Sequence, residues 1–205
     1  MIPARAVANA NRARALAGVQ WPHENLRDYC IPNMMADNST EPWTAQLAAA
    51  TLSALGGTDV LELGPWSGRT GAFLCFALQR MGGGTYITYD SDVRAVTNAT
   101  TLLDAFKLDG VDISVRHGIS PACLASLPDD SIDFVWLDDL HVPSHVIGEI
   151  DALRRIVRPK GIICGHDTYG KWGLHEVFKA AGGYALDLPV IVPGANSGGM
   201  GFLQL

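Results

Sequence analysis

The residues with most chemical potential fall in two short runs. Asp133-Phe-Val-Trp-Leu-Asp138-Asp-Leu-His141 and Gly161-Ile-Ile-Cys-Gly-His166-Asp167 each place an acid and an imidazole directly after an apolar, strand-like stretch. Carboxylates and imidazoles are the groups that move protons near neutral pH or hold cations. If the two stretches are neighbouring strands of a parallel sheet, their carboxyl ends line one crevice, and Asp138, His141, His166 and Asp167 converge there. Two carboxylates meeting in this way repel each other unless something positive lies between them. A hard cation with oxygen ligands, such as Mg2+, is one solution. Protonation of one acid, or neutralisation by His or Arg, is the alternative. His141, three residues after Asp138, is the candidate base, with His166 in reserve.

A third run, Val60-Leu-Glu62-Leu63-Gly64-Pro65-Trp66-Ser67-Gly68-Arg-Thr70, sets two glycines between an apolar strand and a helix. Glycine there lets backbone turn tightly and pass close to a ligand. The spacing is not the GxGxxG of a dinucleotide fold, because position 66 is Trp and no third glycine follows at that spacing. Pyrophosphate is therefore disfavoured. Asp90 ends the next strand about twenty residues on, where a carboxylate accepts hydrogen bonds from ribose hydroxyls. The rings of Trp66 and Trp136 read as packing more than as cofactor cages.

These residues need a scaffold, and the pattern from Thr58 supplies one. Strands are expected at Asp59–Leu63, Thr85–Tyr89, Asp112–Arg116, Ile132–Leu137 and Gly161–Cys164. Helices are expected at Thr70–Arg80, Val93–Lys107, Cys123–Leu127, His145–Ile156 and Leu174–Ala181. Short, nearly continuously apolar strands belong to a parallel sheet covered on both faces. Two last runs, Leu186–Val192 and Met200–Leu205, are joined by a Gly-rich link suited to a hairpin, so the last strand should be antiparallel. The fold class is thus α/β: a doubly wound, mostly parallel, Rossmann-like seven-stranded sheet.

Residues 1–57 read as an N-terminal helical cap, with Ala-rich helices at about 4–17 and 43–55, and residues 58–205 as the cofactor-binding domain. The arginine-bearing first twenty residues are taken as an ordinary helix retained in the mature chain. Arg27, Met34, Met35 and Trp43 are candidate walls of a substrate pocket, as are Tyr169, Trp172 and His175 beyond the fifth strand.

Glu62-Leu-Gly-Pro-Trp-Ser-Gly68 followed by Tyr89-Asp90 resembles the cofactor signature of class I S-adenosylmethionine (SAM)-dependent methyltransferases. The resemblance implies that Glu62 and the Gly64–Gly68 turn, with Pro65 and Trp66, face the methionine end. Thr70 then lies near the methionine carboxylate, where helix N–H groups favour an anion. Asp90 holds the ribose, Ile119 and Ser120 meet the adenine, and Leu63, Ser91 and Asp138 complete the expected contacts. The stretch from His117 to Asp167 is similar to the subgroup that methylates hydroxyls of small molecules, including macrolide sugars. By that resemblance Asp138 and Asp167 match metal ligands, Thr168 stands where a further Asp or Asn is usual, and His141 matches the base. Asp138 would also orient the acceptor hydroxyl. Leu140 replaces an acid and Asp139 a glycine, and both departures, with Thr168, weaken the metal assignment.

Composition narrows the partners. In 205 residues with 48% hydrophobic content, 15 basic and 21 acidic side chains give a formal charge of −6. This disfavours nucleic acid and anionic membrane and leaves a small-molecule acceptor; self-association into a homo-oligomer stays open. No apolar run approaches the ~20 residues of a membrane span. Four cysteines without CxxC spacing suggest reduced thiols and a cytoplasmic setting. The rivals are an N-methylating or macromolecule-directed enzyme on the same fold, a non-catalytic SAM-binding module and, least, a nicotinamide oxidoreductase.

Overall fold

Strands apolar on both sides require cover on both faces, and the chain supplies it by alternating helix and strand. The computed structural model describes residues 40–106, 108–168, 172–186 and 198–205. Its elements are α1 (Pro42–Leu55), β1 (Asp59–Leu63), α2 (Arg69–Arg80), β2 (Gly84–Asp90), α3 (Val93–Ala105), β3 (Val111–His117) and α4 (Ser120–Ser126). They continue with β4 (Ile132–Leu137), α5 (Pro143–Ile156), β5 (Val157–His166), α6 (Leu174–Ala180), β6 (Tyr184–Leu186) and β7 (Met200–Gln204).

The seven strands form one sheet in the order β3-β2-β1-β4-β5-β7-β6. All neighbours from β3 to β5 are parallel, whereas β7 runs antiparallel to both β5 and β6. The doubly wound sheet with a reversed last strand is therefore the one the sequence pattern implies. Strand order reverses between β1 and β4, which opens a crevice beyond their carboxyl ends.

Alternation along each strand divides the core. Val60, Phe134 and Trp136 point to the layer of α1, α2 and α3, while Leu61, Leu63, Val135 and Leu137 point to that of α4, α5 and α6. On α1, Ala45, Ala48, Ala49 and Leu52 follow helical spacing and are 0–7% exposed, forming a seam of small side chains. Pro42 opens this helix at its first position, and Gly56, in the left-handed region at φ 72°, closes it by donating to the Leu52 carbonyl. The expected helix at 4–17, with Arg27, Met34 and Met35, lies outside the described residues, as do Tyr169 and residues 187–197.

The amino ends of β1 and β4 are tied by one guanidinium. Arg158 Nη1 lies 2.7 Å from Asp59 and 2.8 Å from Asp133, and Asp133 also accepts from the backbone N–H of Thr58 and Asp59. Arg158 and these N–H groups hold the Asp133 carboxyl below its ordinary range against the opposing effect of burial.

Candidate active site

The crevice begins where backbone pairing outlasts the strands. Gly64 N–H donates to Tyr89 O at 3.0 Å and Asp138 N–H to Leu63 O at 2.9 Å, so the turn after β1 lies between the ends of β2 and β4. A Cβ at Gly64 would meet the Asp138 carbonyl oxygen at 2.4 Å, and φ there is 83°. At Gly68, φ is 78° and a Cβ would lie 2.7 Å from Ala99 Cα on α3. Chain packing thus demands glycine at both positions, and the room above the turn follows from it. Trp66 is itself in the left-handed region at φ 48°. Its ring is 55% exposed, unlike Trp136 at 0%. Packing accounts for Trp136 only; Trp66 stands at the rim of the site.

Two cavities meet at Gly64, Trp66 and Asp138. The larger, about 400 Å³, runs along Asp90 and Ser91 at the end of β2 and Ile119 and Ser120 at the start of α4; Asp139 and His145 form its other side. Asp90 Oδ1 accepts from the Asp92 N–H at 2.8 Å, which fixes that carboxylate at the cavity edge. The smaller, about 160 Å³, is lined by Thr40, Pro65, Thr70, His141, His166 and Asp167. Thr70 belongs to the first turn of α2, a helix whose N-cap, Gly68, offers no side-chain cap to the free N–H groups.

The smaller cavity holds the acid and histidine network. His166 Nδ1 is 2.9 Å from Asp138 Oδ1 and its Nε2 is 2.7 Å from Glu41 Oε2. A ring that faces a carboxylate at both nitrogens donates at both, so it is an imidazolium. Burial opposes that charge, but Asp138 and then Glu41 outweigh it and hold His166 well above the ordinary histidine range. Asp138 is held well below its ordinary range, burial being overcome chiefly by the charge of His166. The Thr40 hydroxyl donates to the other Asp138 oxygen. His141 Nε2 stands 3.5 Å from Asp138 and 3.8 Å from Asp167, beyond hydrogen-bond length, and is buried without a hydrogen-bond partner. Burial disfavours charge on His141, yet Asp138 raises its pKa above the ordinary value. Asp167 Oδ1 and Thr168 Oγ1 are likewise buried without a hydrogen bond, the nearest cation to the former being His166 Nε2 at 3.7 Å.

Not every residue singled out by sequence lines these cavities. Leu63 is core, and Gly68 packs on α3. The Glu62 side chain lies beneath α2, fully buried, accepting from the Tyr86 hydroxyl; burial lifts its pKa to about 8. Trp172 stacks against His141 with ring centroids 5.6 Å apart, and His175 N–H donates to Thr168 O at 2.8 Å. Trp43 lines neither cavity. Sequence reasoning missed Thr40 and Glu41, whose only signal was a polar pair before the helix-starting Pro42. It also missed Ser67 and Arg69 in the smaller cavity.

A crevice at the strand-order reversal, a glycine turn and an acid ending the second strand together define a doubly wound enzyme fold with a cofactor cleft. A methyltransferase-domain family model matches residues 61–168, more than half of the chain, and the chain belongs to that family. A comparison with curated proteins finds no match. Among solved structures, a putative O-methyltransferase from Klebsiella pneumoniae is 17% identical with a TM-score of 0.72, covering 95% of this chain and 96% of that one. The O-methyltransferase TomG from Streptomyces achromogenes, solved with SAM, is 14% identical with a TM-score of 0.68, at 95% and 96% coverage. An O-methyltransferase from Bacillus cereus, solved with SAH, is 16% identical with a TM-score of 0.67, at 95% and 97% coverage. At these identities the likeness is one of fold. Among the described residues, no helix is long and apolar enough to cross a membrane.

Proposed function

We propose that the protein transfers the methyl group of SAM to a hydroxyl of a small molecule, with His141 as the base. The observation that carries this reading is the junction of the two cavities at Gly64, Trp66 and Asp138. Adenosine lies in the larger one, its ribose hydroxyls on Asp90 and its base beside Ile119 and Ser120. The methionine carboxylate would meet the free N–H groups at the start of α2 near Thr70, which would bring the sulfonium methyl into the smaller cavity with Asp138 and His141.

There the acceptor oxygen approaches in line with the S–CH3 bond. As the O–CH3 bond forms, the sulfonium becomes a thioether and the hydroxyl proton passes to His141 Nε2, the ring nitrogen with no hydrogen-bond partner. His166 is unsuited to that task because both its nitrogens already donate. It instead fixes Asp138, which orients the acceptor hydroxyl. Residues 1–57 serve as the cap of the acceptor side, a role supported by Thr40 and Glu41 reaching Asp138 and His166. The described cysteines are free and two of the three are buried, which suits a reducing cytoplasm.

A Mg2+ ion at Asp138, Asp167 and Thr168 belongs to the same reading. Asp167 Oδ1 and Thr168 Oγ1, buried without a hydrogen bond, are hard donors of the kind such an ion takes, and the ion would stand beside the His166 ring, whose Nε2 is 3.7 Å from Asp167 Oδ1. When bound it would lower the pKa of the acceptor hydroxyl.

Calorimetry with SAM, SAH and NAD tests the cofactor, and failure of both sulfur compounds to bind sinks the proposal. Transfer from methyl-labelled SAM to paired panels of small alcohols and amines tests the acceptor class, and exclusive labelling of amines would reassign it. A rate that neither falls with EDTA nor recovers with Mg2+ removes the ion from the mechanism.

A further inference from the structure

Outside the acid and histidine network, one imidazole nitrogen is over-subscribed. His145 Nε2 has Ser120 Oγ at 3.1 Å, Asp139 Oδ2 at 3.2 Å and Glu149 Oε1 at 3.1 Å. A ring nitrogen carries at most one hydrogen, so a single linear hydrogen bond from it serves only one of the three oxygens. Two of the oxygens belong to carboxylates brought from different places: Asp139 from the turn after β4, and Glu149 from α5, one helical turn beyond His145. Glu149 is 1% exposed, and neither of its oxygens has a hydrogen-bond partner. A carboxyl buried in this state either keeps its proton, as burial and the neighbouring Asp139 favour by raising its pKa, or exchanges that proton for a cation.

We propose that Asp139, His145 and Glu149, with the Ser120 hydroxyl at a fourth corner, bind a divalent first-row transition cation, Zn2+ being the best match. Bonds of roughly 2.0–2.1 Å in a tetrahedron place neighbouring ligand atoms about 3.3 Å apart. The contacts at Nε2 come close to that edge, and the ligand atoms of Asp139, His145 and Glu149 all lie within 4.8 Å of one another. An imidazole among carboxylates selects zinc-like ions over Mg2+, which prefers an all-oxygen shell. The site shares no ligand with the Asp138 and His166 network, although Asp138 and Asp139 are neighbours in the chain and both line the larger cavity. Its ion ties the turn after β4 to α5 and thereby stiffens the wall opposite Asp90.

The test is a Co2+ titration of the EDTA-treated full chain, followed by its visible absorption. An intense tetrahedral band that saturates at one Co2+ per chain and is displaced by Zn2+ is expected. His145→Gln and Glu149→Gln should weaken binding at least about tenfold, while Asp167→Asn leaves the band unchanged. Asp139→Asn, at a partly exposed position, repeats the test if the buried variant melts early. No band in the parent chain, a band that survives these substitutions, or one lost equally in Asp167→Asn overturns the proposal.

Discussion

The two ends of β4 each carry an aspartate, and they are treated in opposite ways. Asp133, at the amino end, meets Arg158 and two backbone N–H groups. Asp138, past the carboxyl end, meets His166 and Thr40 beside two cavities. A guanidinium keeps its charge at every working pH, and one nitrogen of Arg158 bridges the Asp59 and Asp133 carboxylates, so the first arrangement is a clasp. Beside Asp138 there also stands His141, an imidazole whose Nε2 has no hydrogen-bond partner and can take a proton, so the second arrangement can do chemistry. Mere presence of acids at strand ends does not separate the two; the kind of cation facing them does.

The comparison breaks most visibly in activity. His141→Ala or Asp138→Asn should lower the methyl-transfer rate by roughly 10²–10⁴-fold, the usual worth of a positioned acid or base. Cofactor affinity should stay near that of the parent chain with His141→Ala. A rate within a few-fold of the parent would remove both residues from the chemistry. Smaller, and of a different kind, is Asp90→Ala, which removes a charged acceptor from the larger cavity. SAM affinity measured by calorimetry should fall about 10- to 100-fold. If the rate at saturating SAM falls as well, the division of labour between the cavities is wrong.

How far these roles were legible depends on the distance over which they are encoded. The strands β1 and β4 follow their apolar runs to the residue, because continuous burial on both faces leaves a local trace. Helices α4 and α5 begin earlier than Cys123 and His145, as Pro121 and Pro143 occupy their first turns. β5 begins at Val157 instead of Gly161. Arg158, Pro159 and Lys160 break the apolar pattern, and the register with β4 shifts there. The glycine turn after β1 and Asp90 at the end of β2 are contiguous with strand ends, so they were readable. The acid and histidine network is completed by Thr40 and Glu41, which reach partners 98 and 125 positions away. No local period records such a contact. The cluster at His145 did leave one, an i, i+4 pair with Glu149, but that spacing also describes an ordinary helix surface.

The clasp itself is a stability matter. Asp133→Asn keeps the shape but forfeits the charge facing Arg158 and two N–H groups, a loss of roughly 1–2 kcal/mol after allowance for solvent screening. For a domain of this size that lowers the melting midpoint by about 2–4 °C per kcal/mol. Methyl transfer should be unchanged at temperatures where the variant is folded. A rate that falls in step with Asp138→Asn would mean that both ends of β4 serve the reaction.

Between these ends, on neighbouring β1, Glu62 pairs in register with Trp136 and faces a tyrosine hydroxyl instead of a cation. Burial, first among its causes, moves its pKa from 4.5 to about 8. The unfolded chain therefore releases this proton near pH 4.5, whereas the folded chain keeps it until about 8. Stability associated with the protonated acid is complete below the unfolded value and is lost as pH rises through that window, at up to about 1.4 kcal/mol per pH unit. Glu62→Gln cannot ionise and should escape the loss. Thermal melts of the cofactor-free protein at pH 6 and 7 should show the parent falling by about 2–4 °C for each kcal/mol lost, and the variant holding nearly level. Equal slopes would mean that Glu62 is already ionised in the fold, as an acid directed at a cationic ligand would be. The middle of the strand pair would then belong with its chemical end rather than with its core.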